Sequence, residues 1–276
     1  MPAQTVDFGE AAPTHAIRNA LGSWNVPVEV NSVAGEWIFD TGANLSTLTE
    51  SEAKRMGLAV RESKAYVNGS TGKRNALRVA VAPAVRFGPA RLHNVVFLVL
   101  ADESLYIPPI HQQIHGILGL PVLRALGRVG IAHDGAVHFD PSMRQPEGTP
   151  NLCFDSGSLL VEITHEKHEL QMMLDTGANV TDLYRSFRLA LTSQETAKLK
   201  SKKDKVGGAG GSIQRKTFAV PQLRILFEQR PVDLQNLSLL SDGPKGEGHY
   251  RDGVIGMDAL WGGFMLDFQS MRLTVD

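Results

Sequence analysis

The sequence predicts a mostly-β protein made of two similar lobes in one chain. Three observations predict it: an internal repeat about half the chain long, strand-like runs broken by Gly and Pro in each half, and a glycine-rich hairpin loop at the same place in both halves.

The repeat centres on the pentapeptide Asp-Thr-Gly-Ala-Asn. WIFDTGANLSTL ends at Leu48 and MMLDTGANVTDL ends at Leu183, and Asp40 and Asp175 stand 135 residues apart (175 − 40). Upstream, VPVEV at 26–30 parallels LLVEI at 159–163, and each passes through a polar turn, NSVAGE or THEKHE, into a second apolar run, as a β-hairpin does. Downstream lie VNGSTG at 67–72 and VGGAGG at 206–211, each between strand-like segments. Farther on, an apolar pair stands between glycines in each half, Gly116-Ile117-Leu118-Gly119 and Gly253-Val254-Ile255-Gly256. Short helical-looking stretches, PVLRAL and MDALWG, follow them.

The stretch DPSMRQPEGTP at 140–150 has turn formers without periodicity and marks the link. The expected organisation is an N-terminal extension at 1–23, a first lobe at 24–140, a linker at 141–157 and a second lobe at 158–276.

Composition excludes several classes. A formal net charge of −1 supplies no bulk attraction to nucleic acid or anionic membranes. The one basic run, KLKSKKDK at 198–205, reads as a solvated helix end or loop. The longest apolar run, VVFLVL at 95–100, has strand length, so no membrane span is expected. No signal peptide is legible at the start. The expectation is a soluble chain, periplasmic or secreted if a signal was removed and otherwise cytoplasmic. The single cysteine, Cys153, allows no intrachain disulfide and is expected as a small buried hydrophobe.

Taken in order, these motifs resemble the retropepsin-like and pepsin-like aspartic peptidases. Those proteins carry two apolar residues before Asp-Thr-Gly and, later, two apolar residues before Gly. Here the motifs are Ile38-Phe39-Asp40-Thr41-Gly42 with Ile117-Leu118-Gly119, and Met173-Leu174-Asp175-Thr176-Gly177 with Val254-Ile255-Gly256. The resemblance covers roughly 24–140 and 158–276 and implies two retropepsin-like β-barrel lobes with the active site at their interface. Retropepsins unite two identical subunits; here one chain supplies both halves. Pepsins use longer halves and usually Asp-Thr-Gly-Ser, from which this chain departs at Ala43 and Ala178.

The resemblance implies an aspartic endopeptidase with Asp40 and Asp175 as the catalytic pair, a peptide or protein substrate, no cofactor and no metal. Two close carboxylates suit the chemistry, because they cannot cheaply ionise together and so hold one proton between them. Thr41, Gly42, Thr176 and Gly177 are the expected dyad supports, with the threonine hydroxyls bonding across to the opposite loop. Each glycine is expected to let backbone amides approach the carboxylate, and the small alanine after it to avoid a clash with the other loop. Asn68, Gly69 and Ser70, with Gly207, Gly208 and Ala209, are the expected flap tips. The chain is expected to be a monomer with an intramolecular dyad.

Two other readings stay open on sequence: a non-catalytic peptide-binding or dimerisation module with this fold, and a dyad formed between chains. The histidine pairs His111 with His115 and His165 with His168 are weak metal candidates. HQQIH lacks the glutamate of the zinc-peptidase helix, and HEKH falls in a predicted turn.

Overall fold

Alternation and turn chemistry shape the first hairpin of the computed structural model, which describes residues 3–10, 12–68, 74–142, 148–208, 211–241 and 251–276. Two short strands, β1 (Thr5–Phe8) and β2 (Ile17–Arg18), precede β3 (Trp24–Val30), where Trp24, Val26, Val28 and Val30 alternate into the core. The chain reverses through Asn31 and Ser32, at φ of 51° and 62°, and returns as β4 (Val33–Phe39). Two successive left-handed residues give the turn whose twist matches the strands.

The first half continues through β5 (Ser46–Thr49), α1 (Glu50–Arg55), the hairpin β6 (Val60–Asn68) and β7 (Arg74–Phe87), and β8 (Ala90–Leu100). A ribbon of β9 (Tyr106–Ile107) and β10 (Gln112–Gln113) leads to β11 (Gly116–Leu118) and α2 (Leu120–Ala125). The strand order β8-β5-β11-β4-β3-β7 closes on itself, because β7 also pairs with β8. Closure removes the free edges an open sheet would present.

The second half repeats this layout. It runs β14 (Leu152–Asp155), β15 (Ser158–His165), β16 (His168–Leu174), β17 (Asp182–Leu183), α3 (Ser193–Lys198), the hairpin β18 (Lys200–Gly208) and β19 (Gly211–Phe227), β20 (Arg230–Leu240) and β21 (Gly253–Ile255). Its order, β20-β17-β21-β16-β15-β19, matches the first half strand for strand, and Thr164 pairing with Leu226 joins β15 to β19.

The halves also share a sheet. From the first half come β12 (Arg128–Ala132) and β13 (Val137–Phe139); from the end of the second come β22 (Gly263–Asp267) and β23 (Arg272–Val275), in the order β13-β12-β22-β23. Five residue pairs join β12 to β22, from Arg128 with Asp267 to Ala132 with Gly263. Phe39 of β4 meets Phe264 of this sheet with ring centroids 5.9 Å apart, so the apolar core runs from one lobe into the other.

Several local expectations need correction. The run 198–205 is mostly strand: α3 ends at Lys198 and β18 begins at Lys200, where cross-strand bonding to β19 outweighs the repulsion of neighbouring lysines. Cys153 is exposed, because Leu152 of β14 turns inward and the pleat sends its neighbour out. Thr5–Phe8 and Ile17–Arg18, in the stretch read as an extension, pair into the first sheet, β1 along β8 and β2 along β3. Residues 152–155, read as linker, form β14 on β15. HEKH does span a hairpin turn, with Glu166 at φ 54° between β15 and β16. Among the described residues no helix is long and apolar enough to cross a membrane.

Candidate active site

Each Asp-Thr-Gly loop leaves the end of a barrel strand and is anchored by its apolar pair. In the first lobe β11 lies parallel to β4, and the Asp40 amide donates to the Leu118 carbonyl at 3.0 Å. In the second, β21 lies parallel to β16 and the Asp175 amide donates to Ile255 at 3.0 Å. The residue after each closing glycine then binds the far side of the loop: Leu120 N–H to Ala43 and Met257 N–H to Ala178, both at 2.8 Å. Both apolar pairs therefore fasten their loops through the main chain as well as by packing.

Two hydroxyls that sequence reasoning passed over complete the anchor. Ser46 Oγ accepts the Gly119 amide at 3.0 Å, and Thr181 Oγ1 accepts the Gly256 amide at 3.1 Å. A hydroxyl residue recurring six places after each Asp (46 − 40; 181 − 175) was the available signal. Asp258 in turn accepts from the Thr181 hydroxyl and amide, whereas the first lobe has Pro121 at that place.

The loops meet at the seam between lobes. Thr41 Oγ1 donates to Leu174 O at 2.7 Å and accepts the Thr176 amide at 3.0 Å. In return Thr176 Oγ1 donates to Phe39 O at 2.8 Å and accepts the Thr41 amide at 3.0 Å. Both threonines are fully buried, so four backbone groups, two beside each carboxylate, depend on two side chains. Ser23, also missed, adds a cross-lobe bond from its hydroxyl to Gly177 O at 2.8 Å. Its repeat partner Ser158 follows Gly157 just as Ser23 follows Gly22.

The glycines do more than the sequence suggested. A Cβ on Gly42 would stand 2.4 Å from Asp175 Cγ, and one on Gly177 would stand 2.5 Å from Asp40 Cγ. Each glycine thus makes room for the opposing carboxylate itself. The clash avoidance expected of Ala43 and Ala178 is provided one residue earlier.

Within its own loop, Asp40 Oδ1 accepts the amides of Gly42 at 2.8 Å and Ala43 at 3.1 Å. Asp175 Oδ1 accepts those of Gly177 and Ala178, both at 3.0 Å. Burial pushes the Asp40 carboxyl well above the usual range; the Asp175 charge and a hydrogen bond shared with Asp175 push it further, against the pull of the amides. Burial also raises Asp175, while the bond from Asp40 and its own loop amides restrain the rise. Both carboxyls are raised by burial and face each other as like charges, so they titrate as one coupled pair that shares a proton over an interval of pH.

In the stretches that hold the flap candidates, β6 pairs with β7 and β18 with β19 as antiparallel hairpins. Asn68 pairs with Arg74 at the end of the first, and Gly207 and Gly208 pair with Ser212 and Gly211 at the end of the second. Gly69, Ser70 and Ala209 lie outside the described residues. The histidine pairs serve other ends: the His111 ring bonds Tyr106 Oη at 3.0 Å, and His165 lies between Arg224 O at 2.8 Å and Glu195 Oε2 at 3.1 Å. Among the described residues no three His, Cys, Asp or Glu side chains gather as a metal site would require.

This architecture, two closed sheets with an Asp-Thr-Gly loop apiece meeting at one seam, resembles that of the retropepsin-like aspartic peptidases. The sequence model of the aspartyl protease family matches residues 26–122, a stretch that holds the Asp40 loop and the Ile117-Leu118-Gly119 element. No curated protein matches the chain in sequence. Among solved structures, a retropepsin-like aspartic protease from Rickettsia conorii is 22% identical, with 50% of this chain and 95% of that one covered at a TM-score of 0.35.

Proposed function

We propose that the chain is an aspartic endopeptidase in which Asp40 and Asp175 form one catalytic dyad within a single polypeptide. The reciprocal bonding of Thr41 and Thr176 carries this reading, since it fixes two titratable carboxyls face to face at the floor of a seam. In the free enzyme the pair would hold one proton, assigned in this reading to Asp40 with Asp175 ionised, since burial and mutual repulsion keep both from ionising together.

The reaction then balances without a covalent intermediate. A water molecule between the carboxyls gives a proton to Asp175 as its oxygen attacks the substrate carbonyl carbon. Asp40 gives its proton to the carbonyl oxygen, leaving a neutral gem-diol. Asp40, now ionised, takes a proton from one of the diol hydroxyls as the carbon–nitrogen bond breaks, and Asp175 protonates the departing nitrogen. Two carboxyls at one site do acid and base work in both steps because their proton affinities differ.

The hairpins β6–β7 and β18–β19 would serve as two flaps that close over the peptide and exclude water. Lobes at about 24–140 and 158–276, tied by the shared sheet, would make the active unit one chain. The test is hydrolysis of a fluorogenic peptide library by wild type, Asp40→Asn and Asp175→Asn. Activity in wild type alone, with none restored on mixing the two variants, supports an intramolecular dyad; restoration would assign the dyad to two chains. Absence of wild-type cleavage across the library would favour a peptide-binding module.

A further inference from the structure

Because the lobes repeat strand for strand, equivalent positions lie on the two sides of the seam, and departures from the repeat mark where the sides differ. Beside Asp40 the wall is apolar. Ile38 and Ile117 are buried with Leu100 and Leu105, and Leu98, Ile114 and Ala43 pack against them in a cluster separate from the main core. The repeat carries Ile38 onto Met173 and Ile117 onto Val254. It carries Leu98 onto Ser238, since Thr47 pairs with Leu98 in one lobe and Asp182 with Ser238 in the other. Ile114 falls on Arg251, each two residues before the glycine that opens its strand.

Arg251 is held at this place by uncharged groups. Its Nη2 donates to Ser158 Oγ at 2.8 Å and its Nη1 meets Met173 Sδ at 3.1 Å, a weak acceptor. Its Nε is buried with no hydrogen-bond partner among the described residues. Among the described residues none of the ion pairs involves Arg251. Met173 is two residues before Asp175, and Ser158 adjoins Gly157, where a Cβ would sit 3.7 Å from the Asn44 amide of the opposite Asp loop. The guanidinium therefore stands at the seam, on the Asp175 side. Tyr184 places it in the same field: burial raises that phenol, the Arg251 charge lowers it, and the charges of Asp182 and Asp175 raise it.

We propose that the wall beside Asp175 is a specificity subsite for an acidic side chain, whose carboxylate pairs with Arg251, while the wall beside Asp40 takes an apolar one. The substrate class is then a polypeptide with Asp or Glu on one side of the scissile bond and an apolar residue on the other. The inference rests on the peptidase reading of the seam. A guanidinium with a buried N–H unpaired and, among the described residues, only neutral partners is matched by a carboxylate, which accepts two parallel bonds from it. An amide of the same shape cannot supply that charge.

The experiment compares two peptides that differ only by Glu against Gln next to the scissile bond, with leucine on the other side. Wild type is expected to show kcat/KM about tenfold higher for the Glu peptide, because a hydrogen bond to a charged group is worth more than one to a neutral amide. Arg251→Leu should bring the ratio near one, and Arg251→Glu should turn the preference toward a Lys peptide. A wild-type ratio of one needs no variant to overturn the proposal, and so does a ratio that survives in Arg251→Leu with a native far-UV spectrum. Fluorescence anisotropy of the same labelled peptides on Asp40→Asn separates the two readings. A Glu preference in binding without wild-type hydrolysis sinks the peptidase reading and keeps the subsite. Hydrolysis without the preference overturns the subsite and leaves the peptidase. Neither hydrolysis nor preferential binding overturns both.

Discussion

Thr41 and Thr176 each donate a backbone amide to the other's hydroxyl, both at 3.0 Å, and each hydroxyl in turn donates a hydrogen bond to a carbonyl of the opposite strand. The symmetry matters because one side chain satisfies two backbone groups of the partner lobe. Buried amides and carbonyls have no water to turn to, so neither lobe can drop its threonine without stranding the other.

Thr41→Val keeps the shape and removes the hydroxyl, leaving the Thr176 amide and the Leu174 carbonyl unpaired in a buried seam. Each stranded group costs about 1–3 kcal/mol. The expected result is a clear fall in thermal midpoint and a loss of kcat larger than any change in KM, with Thr41→Ser restoring most of both. Unaltered kcat in a folded Thr41→Val protein would show that the seam does not align the carboxyls.

Asp40→Asn and Asp175→Asn are each expected to reduce hydrolysis by about 10²–10⁴-fold or more, the range for loss of a general acid or base. The double variant should be no worse than the poorer single one, because either change disables the same proton-sharing unit. Initial rates on one peptide decide it, and losses that multiply would mean the two carboxyls work separately.

The dyad also sets a stability dependence on pH. Both carboxyls are raised, chiefly by burial, so the contribution they make when protonated is complete below the unfolded value of about 3.9 and is lost as pH rises through the folded values. As pH rises, each carboxyl that ionises in its buried place opposes folding. Asp40→Asn should therefore raise the thermal midpoint at pH 7.5 more than at pH 4, by about 2–4 °C for each kcal/mol regained. A gain equal at both pH values would detach the shift from the dyad.

Glu52 should behave in the opposite sense. It is buried, and burial alone would raise it, but hydrogen bonds from Arg55 and Trp37 and the Arg55 charge outweigh that and hold it below the usual range. Its Oε1 accepts from Trp37 Nε1 at 3.0 Å, and Arg55 Nη2 reaches the same oxygen at 2.8 Å. The stability it adds is present above its unfolded pKa and lost as pH falls through the lower folded value. Glu52→Gln should cost about 1–3 kcal/mol at neutral pH. The deficit should shrink in strong acid, as measured by urea unfolding at several pH values.

Much of this was legible because the duplication preserves local signals. The apolar run before each Asp, the glycine-bounded pairs and the alternating strands are short-range patterns, and they recur at matched spacing in both halves. The pairing of β12 with β22 was not legible, since Gly130 and Met265 carry no local mark of each other and only the completed lobes bring them together. Cys153 misled because its apolar neighbours hid a pleat that turns it outward. Ser46 and Thr181 were visible as a recurring hydroxyl, but the amides they bind come from glycines more than seventy residues away (119 − 46; 256 − 181). Arg251 stands out only when the barrels are superposed in register, because its equivalent, Ile114, looks like ordinary core.

The last prediction joins the carboxyl geometry to rate. Hydrolysis needs the dyad to hold one proton, so the rate should rise and fall across the two macroscopic pKa values of the pair. Burial and mutual repulsion push the upper value well above the carboxylate range, which carries the alkaline limb toward neutrality. Asp175 is raised as well, and its loop offers only the amides of Gly177 and Ala178, with no hydroxyl at position 178 to steady the ionised form. The acidic limb should therefore lie at mildly acidic pH, above that of a pepsin-type Asp-Thr-Gly-Ser loop, and Ala178→Ser should move it downward. Initial rates on a fluorogenic peptide, with far-UV spectra at each pH, measure both limbs. A rate that keeps climbing past pH 8 in folded protein would require a different base, and the shared proton would have to be given up.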